Sequence, residues 1–375
     1  MPEKLENMKI VIIGGHHISA LVLAKKLKQL GHDIHWFGAR YPRWPEKTEG
    51  NEYRQVTQEG ILFYDLKAGK FHKNFLRWWR IPLGFIQVYW LLRRLKPDFI
   101  ISFGGYLAVP AVLSGWFLGI ASITHEQTRT AGLANRLIQF FVKKIFLTFP
   151  ESAKFFNPKK SELVGLPIRK EFFSLKTFKI FKNNLPTISA IGGKQGSHII
   201  NITLVKALEK LLLSFNIIHQ CGDILHGKDF IHLQEKRSLL PVNLQERYLV
   251  KNFFSDSQIS QYLRQSDFVI TRAGAHIVYE LALLGKPAIF IPLPFAFADE
   301  QEENAKFFIK KGAGEIIKQH ELNSQTLINR VEKMNKNLLY YKKNALKLKA
   351  FLPKNAVDKI VMYLRLYEKE NKRDH

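Results

Sequence analysis

The chain is poor in acid and almost free of cysteine. Its 375 residues carry 57 Lys and Arg against 32 Asp and Glu, a formal charge of +25, and one thiol, Cys221. A single cysteine excludes an internal disulfide and any Cys-x-x-Cys metal knuckle, and fits a reducing, cytoplasmic compartment. The first residues, Met1-Pro-Glu-Lys-Leu-Glu-Asn-Met8, lack a basic n-region followed by an apolar core, so no signal peptide is expected. Zinc spacing, an RNP-like motif and a helix-turn-helix pattern are all missing, which argues against nucleic acid as the partner of the positive charge. Internal repeats and low-complexity blocks are missing too. What remains is an enzyme-sized globular chain, 46% hydrophobic, with enough apolar residues for two cores.

Charge is also absent from Phe99 to Thr124, a run long enough to span a bilayer. Gly104, Gly105, Pro110, Gly115 and Gly119 divide that run into strand, glycine loop, short helix, glycine stop and second strand. We therefore read it as a buried parallel βαβ segment, apolar because both faces of the strands are covered. Between Lys70 and Lys96 the missing element is acid. Seven Lys or Arg are interleaved there with Phe71, Phe75, Trp78, Trp79, Phe85, Tyr89 and Trp90. Phe75, Trp78, Trp79, Arg80 and Phe85 form the expected patch for an anionic membrane surface, where aromatics settle at headgroup depth and cations meet acidic lipid. The competing reading places half of these aromatics in the core of a helix from about Leu83 to Leu95.

Short apolar strands alternate with helical patterns throughout, which predicts an α/β protein of two doubly wound, Rossmann-like domains. The first has strands at Lys9 to Gly14, Asp33 to Gly38, Ile61 to Leu66, Phe99 to Phe103, Ala121 to His125 and Ile145 to Phe149. The second has strands at Thr187 to Ile191, Ile217 to Gln220, Tyr248 to Asn252, Phe268 to Thr271 and Ala288 to Pro292. We place the domains at 1–168 and 169–354, with the terminal helix, 355–375, returning to the first. Ligands in such folds sit beyond the carboxyl ends of the strands, where the turns at Gly14, Gly104, Gly192 and Gly274 fall, so the domains are expected to face one cleft.

Several constellations at these strand ends carry chemistry. Thr271-Arg-Ala-Gly-Ala-His-Ile-Val-Tyr-Glu280 reads as strand, glycine turn and helix, whose first turn offers free N–H groups to an anion. Glu280 is placed to accept two hydrogen bonds from vicinal ribose hydroxyls, or is an ordinary surface glutamate. Gly192-Gly193-Lys194-Gln195-Gly196 suits a diphosphate but has neither the spacing nor the Lys-Ser/Thr ending of a Walker motif. Gly14-Gly15-His16-His17 either presents an imidazole base to a sugar hydroxyl or is a polar turn. His125-Glu126-Gln127-Thr128 brings a second imidazole and a carboxylate to the same rim, as ligand contacts or as a structural network. Arg169, after Pro167, reaches a ligand or forms an ion pair.

Taken in order, these blocks resemble the MurG family of GT-B glycosyltransferases. The match runs from about Lys9 to Ile317 through Phe103-Gly-Gly-Tyr106, His125-Glu-Gln127, Ala131-Gly-Leu-Ala-Asn135, Gly165-Leu-Pro-Ile-Arg169, Gly192-Gly-Lys-Gln-Gly196, Arg272-Ala-Gly-Ala275 with Glu280, and Gln301 with Asn304. The resemblance implies inverting transfer of N-acetylglucosamine from UDP to the 4-hydroxyl of the muramyl sugar on lipid I, at the cytoplasmic face of the membrane and without a metal. It implies that Glu280 binds ribose, that Ala275, His276, Ile277, Val278 and Tyr279 approach the donor's diphosphate and sugar, and that Gln301 with Asn304 binds the donor sugar. Phe254 would flank uracil through its backbone, Arg169 would touch the nucleotide, and the loop Gly193, Lys194, Gln195 and Gly196 would hold the diphosphate after Gly192. On the acceptor side it implies Gly14, Gly15, His16 as base, Gly104, Gly105, Tyr106, His125 and Glu126.

Three departures stand out. The family's first loop, Gly-Gly-Thr-Gly-Gly-His, is longer than the one before His16. Thr128 replaces an asparagine, offering a hydroxyl to the donor sugar instead of an amide. Lys194 replaces a serine, adding positive charge near the diphosphate. The shortened loop keeps two alternatives open: a related GT-B enzyme acting on another lipid such as diacylglycerol, and a non-catalytic lipid-binding homologue.

Overall fold

A computed structural model describes residues 7–41, 49–67, 80–174, 179–193, 195–295 and 299–371. The chain divides into two compact units, Met1–Ile168 with Pro353–His375, and Arg169–Leu352.

The first unit is built on β1 (Lys9–Ile13), β2 (Asp33–Gly38), β3 (Leu62–Asp65), β4 (Phe99–Ser102), β5 (Ala121–Glu126), β6 (Lys144–Leu147) and β7 (Ser161–Leu163). They pair in parallel in the order β3-β2-β1-β4-β5-β6-β7. Strand β1 shows why the run looks apolar throughout. Ile10 and Ile12 enter one core with Leu23, Ile101 and Ile360, while Val11 and Ile13 enter the other with Val88, Leu92 and Val112. The uncharged run resolves into β4, the helix Ala108–Phe117 and β5. Among the described residues no helix is long and apolar enough to cross a membrane. The terminal helix Ala356–Asn371 lies on this unit, with Tyr367 edge-on to Phe99 at 4.8 Å and Tyr363 edge-on to Phe146 at 5.7 Å.

The second unit contains β8 (Thr187–Ile191), β9 (Asn216–Gln220), β10 (Tyr248–Lys251), β11 (Phe268–Thr271), β12 (Ala288–Phe290) and β13 (Gly314–Ile316). These too are parallel, in the order β10-β9-β8-β11-β12-β13. Each sheet therefore reverses its winding once, between β1 and β4 and between β8 and β11. Those are the switch points beyond whose carboxyl ends α/β sheets bind ligands. Two edge strands, β7 and β13, are additions to the sequence reading. Each is three residues with a charged centre, Glu162 or Glu315, and carries no apolar run to announce it.

Candidate active site

In the second unit the two turns at the switch point differ in what their glycines answer to. A Cβ on Gly196, whose φ is +84°, would lie 2.0 Å from the Cys221 carbonyl oxygen, so the protein's own packing demands glycine there. Gly274 is the opposite case. Its φ of −64° suits any residue, and a Cβ there would meet nothing within 4 Å. It caps the helix Ala275–Leu284, whose first turn carries the positive end of the helix dipole. Among the described residues nothing crowds the space that a side chain at Gly274 would take.

Glu280, 3% exposed, is anchored rather than adrift. Its Oε1 accepts from Arg169 Nη2 at 2.7 Å, and Arg169 Nη1 pairs with Asp256 Oδ1. Burial works to lower the Arg169 pKa, but the carboxylates of Glu280 and Asp256 outweigh it and raise it, so this guanidinium stays charged. Asp256 was not legible in advance, because nothing local marks a contact with a residue 87 positions away.

Two more side chains that the sequence reading left without a role hold the turns in place. Arg272 donates from Nη1 to the carbonyls of Ile291 (3.0 Å) and Pro292 (3.3 Å), and from Nη2 to Ser197 Oγ (2.8 Å). It joins the exits of β8, β11 and β12. Gln220, at the end of β9, accepts from the Phe254 N–H at 3.0 Å and reaches the Gly193 carbonyl at 3.5 Å. Its position at the end of the strand beside β8 is the signal that could have found it. The Phe254 N–H is thereby used. Gln301 accepts at Oε1 from the N–H groups of Ala273 (3.2 Å) and Leu293 (3.0 Å), and buried Asn304 donates to the Ala273 carbonyl (3.2 Å). Both brace the turn before Gly274.

The expected donor residues separate by burial. Gly193, Gln195, Gly196, Gly274, His276 and Ile277 reach the surface, whereas Ala275, Val278 and Tyr279 are buried. A run of neighbours on one helix cannot all face one ligand, since its side chains turn about 100° per residue. Lys194 lies outside the described residues. Thr128 belongs to the first unit, is 4% exposed, and donates its hydroxyl to Glu126 at 2.8 Å.

At the first unit's switch point two glycine turns interlock. A Cβ on Gly15 would sit 2.0 Å from the Gly104 carbonyl oxygen, and one on Gly105 2.9 Å from the Gly15 Cα. Only glycine permits this approach, and it sets His16 beside the end of β4. His16 Nδ1 lies 3.2 Å from the Phe103 carbonyl, which can only accept, so Nδ1 is the donor and Nε2 is the nitrogen left to take a proton. Tyr106, half-buried, has its phenol pushed up to about 12 by burial and then by the charges of Glu52 and Asp65, and remains a donor.

His125 and Glu126 serve this rim from below, at 1% exposure each. His125 Nε2 donates to the Gly165 carbonyl at 2.8 Å, and burial brings its pKa down to about 4 against that bond, so the ring is neutral. Glu126 accepts four times: from Thr128 N (2.8 Å) and Oγ1 (2.8 Å), Gly132 N (2.9 Å) and Asn135 Nδ2 (2.9 Å). A carboxylate so engaged shapes its loop and is not a spare base. Both side chains are buried, which the strand ends in the sequence do not report.

Two Rossmann-type sheets, each with glycine turns at its switch point, define a GT-B protein that handles a nucleotide sugar. The glycosyltransferase family 28 N-terminal domain matches residues 13–147 and the family 28 C-terminal domain residues 187–360. The UDP-N-acetylglucosamine–N-acetylmuramyl-(pentapeptide) pyrophosphoryl-undecaprenol N-acetylglucosamine transferase of Clostridium botulinum is 34% identical, over 96% of this chain and 99% of its own. Its counterpart in Clostridium novyi is 32% identical, over 97% and 100%. The chain belongs to glycosyltransferase family 28, within its MurG family. The crystal structure of Acinetobacter baumannii MurG superposes with a TM-score of 0.73 at 27% identity, over 95% of this chain and 99% of that one. The UDP-N-acetylglucosamine 2-epimerase of Neisseria meningitidis bound to UDP-N-acetylglucosamine shares the fold at a TM-score of 0.64 and 17% identity, over 95% and 99%.

Proposed function

We propose that this enzyme transfers N-acetylglucosamine from UDP-N-acetylglucosamine to the 4-hydroxyl of the muramyl sugar of undecaprenyl-diphosphate-linked lipid I, giving lipid II for peptidoglycan. The observation that carries the donor half is Gly274, a helix N-cap whose Cβ position is uncrowded among the described residues, with Glu280 one and a half turns further along. The acceptor oxygen attacks C1 of the donor sugar, the bond to the β-phosphate breaks with inversion, and UDP leaves. Negative charge grows on the diphosphate, and the positive helix end at Gly274, with the glycine turn after β8, would stabilise it. Glu280 holds the ribose, the Phe254 carbonyl meets the uracil edge, and His16 Nε2 takes the hydroxyl proton.

Replacing Gly274 with alanine tests the donor half. The methyl fits the protein, so the melting temperature stays within about 1 °C, while it stands where the diphosphate packs and weakens UDP-N-acetylglucosamine binding about tenfold or more, roughly 1.4 kcal/mol. Calorimetry showing parental affinity would remove the assignment. The helix end at Gly274 supplies the positive field, since Arg169 is already matched by Glu280 and Asp256, and the proposal includes no metal. Chelator then leaves the transfer rate within about twofold, a tenfold change being about 1.4 kcal/mol of barrier.

We further propose a peripheral seat on the anionic cytoplasmic membrane surface, next to the lipid acceptor. Of the patch expected from sequence, Phe75, Trp78 and Trp79 lie outside the described residues, and Phe85 is half-buried on the helix Arg80–Leu95. Support comes from its neighbours. Leu83, Ile86, Trp90, Trp116, Phe117 and Phe140 are exposed on adjoining elements, with the Arg93 guanidinium 6.0 Å above Trp90. Trp116→Glu with Phe117→Glu should cut binding to vesicles containing acidic lipid about tenfold, since apolar area and electrostatic attraction both fall. Equal sedimentation with vesicles would contradict this seat.

The shortened loop before His16 favours one second reading, a different lipid acceptor. Mass analysis of products formed with lipid I and with diacylglycerol separates the two.

A further inference from the structure

Behind the glycine loop of the second unit lies a buried polar chain that the reaction does not use. Asn201, on the helix His198–Leu212, is 1% exposed, and all of its side-chain bonds are internal. Nδ2 donates to the Cys221 carbonyl (3.0 Å) and to Asp229 Oδ2 (2.7 Å), and Oδ1 lies 3.0 Å from His219 Nε2. The amide orientation is forced, because a carbonyl and a carboxylate can only accept. His219 Nε2 is then the donor, and its Nδ1 accepts from the Tyr248 hydroxyl at 2.8 Å. Burial lowers the His219 pKa to about 3, so the ring stays neutral and the direction of the chain is fixed. Asp229 Oδ1 closes it on His198 Nδ1 at 2.7 Å.

The target of this chain is backbone that touches the loop. Gly196 and Gly222 pair across an isolated bridge, and the Asp223 N–H donates to the Gln195 carbonyl at 3.0 Å. A Cβ on Gly222 would lie 2.2 Å from Gly196 N. Segment 221–223 and residues 195–196 thus lie in direct contact, and where one goes the other follows. Apolar groups of the same shape would fill this interior at little cost in stability, so what the polar chain adds is a fixed position for the Cys221 carbonyl.

We propose that Asn201 is a positioning residue for the donor diphosphate, acting through the Cys221 carbonyl on the loop 192–196; the inference rests on reading that loop as the diphosphate seat. Its signature is a loss that follows the phosphates and spares the nucleoside. UDP and uridine are titrated calorimetrically into the full chain, and the ratio of their affinities is taken. Asn201→Ala lowers that ratio about tenfold with uridine binding unchanged. Asn201→Ser keeps one donor, loses less, and stands in should the alanine variant not fold. Tyr248→Phe removes the bond at the far end of the chain, lowers the melting temperature, and leaves the ratio at the parental value. A parental ratio in folded Asn201→Ala or Asn201→Ser overturns the proposal, as does an equal fall in Tyr248→Phe, which would mean general loosening. A parental enzyme that binds uridine as tightly as UDP instead removes the diphosphate reading itself.

Discussion

Glu280→Ala lowers UDP affinity about a hundredfold while the chain stays folded. A buried carboxylate bonded to two ribose hydroxyls makes charge-assisted hydrogen bonds of about 1.5–3 kcal/mol each, and each 1.4 kcal/mol is about a factor of ten. Stability changes too, and the two effects must be parted. Glu280 faces Arg169 at 2.7 Å with 4% side-chain exposure, and removing one partner of a buried pair costs about 3–5 kcal/mol. Asp256 remains to hold Arg169, so the loss falls toward the lower end of that range. Glu280→Gln keeps the volume and one good acceptor and should fall between the parent and the alanine variant in affinity, with a smaller drop in melting temperature. Calorimetry well below the melting temperature reads affinity alone. A folded alanine variant that binds UDP like the parent would take ribose away from Glu280.

His16→Ala has the complementary profile. It slows transfer by about 10²–10⁴, the usual contribution of a positioned general base, and leaves UDP affinity within about twofold. The separation follows from the architecture: His16 belongs to the first unit, and every group assigned to UDP belongs to the second. Single-turnover rates at saturating donor isolate the chemical step. A variant that loses UDP binding in proportion to its rate would mean that His16 acts on the donor. Full activity would mean that the acceptor hydroxyl is deprotonated elsewhere.

Much of this was legible in the sequence because the relevant signals are local. Strand runs such as Phe268 to Thr271 end on a glycine and lead into a helix, and that pattern is fixed by the backbone needs of a parallel βαβ turn. The glycines at 15, 104, 196 and 274 could therefore be placed at the ligand ends of the sheets. Their different reasons could not. Gly15 is required by the Gly104 backbone across the switch point, whereas a Cβ on Gly274 would meet none of the described residues, and only coordinates tell these apart. Side-chain direction was the other gap. His125, Glu126 and Thr128 were read as rim groups because polar residues ending a buried strand are often functional. They are buried instead, with His125 Nε2 donating to Gly165 and Glu126 accepting from Gly132 and Asn135. Arg169 was singled out, but its partners lie 87 and 111 residues away, a distance over which sequence pattern carries no information.

The most direct test of the account is one reaction: purified enzyme, UDP-N-acetylglucosamine and a water-soluble lipid I analogue, with UDP release and product mass followed together. The account predicts UDP release that depends on the acceptor and a product one N-acetylhexosamine heavier than the analogue. Tight UDP binding with no acceptor-dependent release and no heavier product would contradict it.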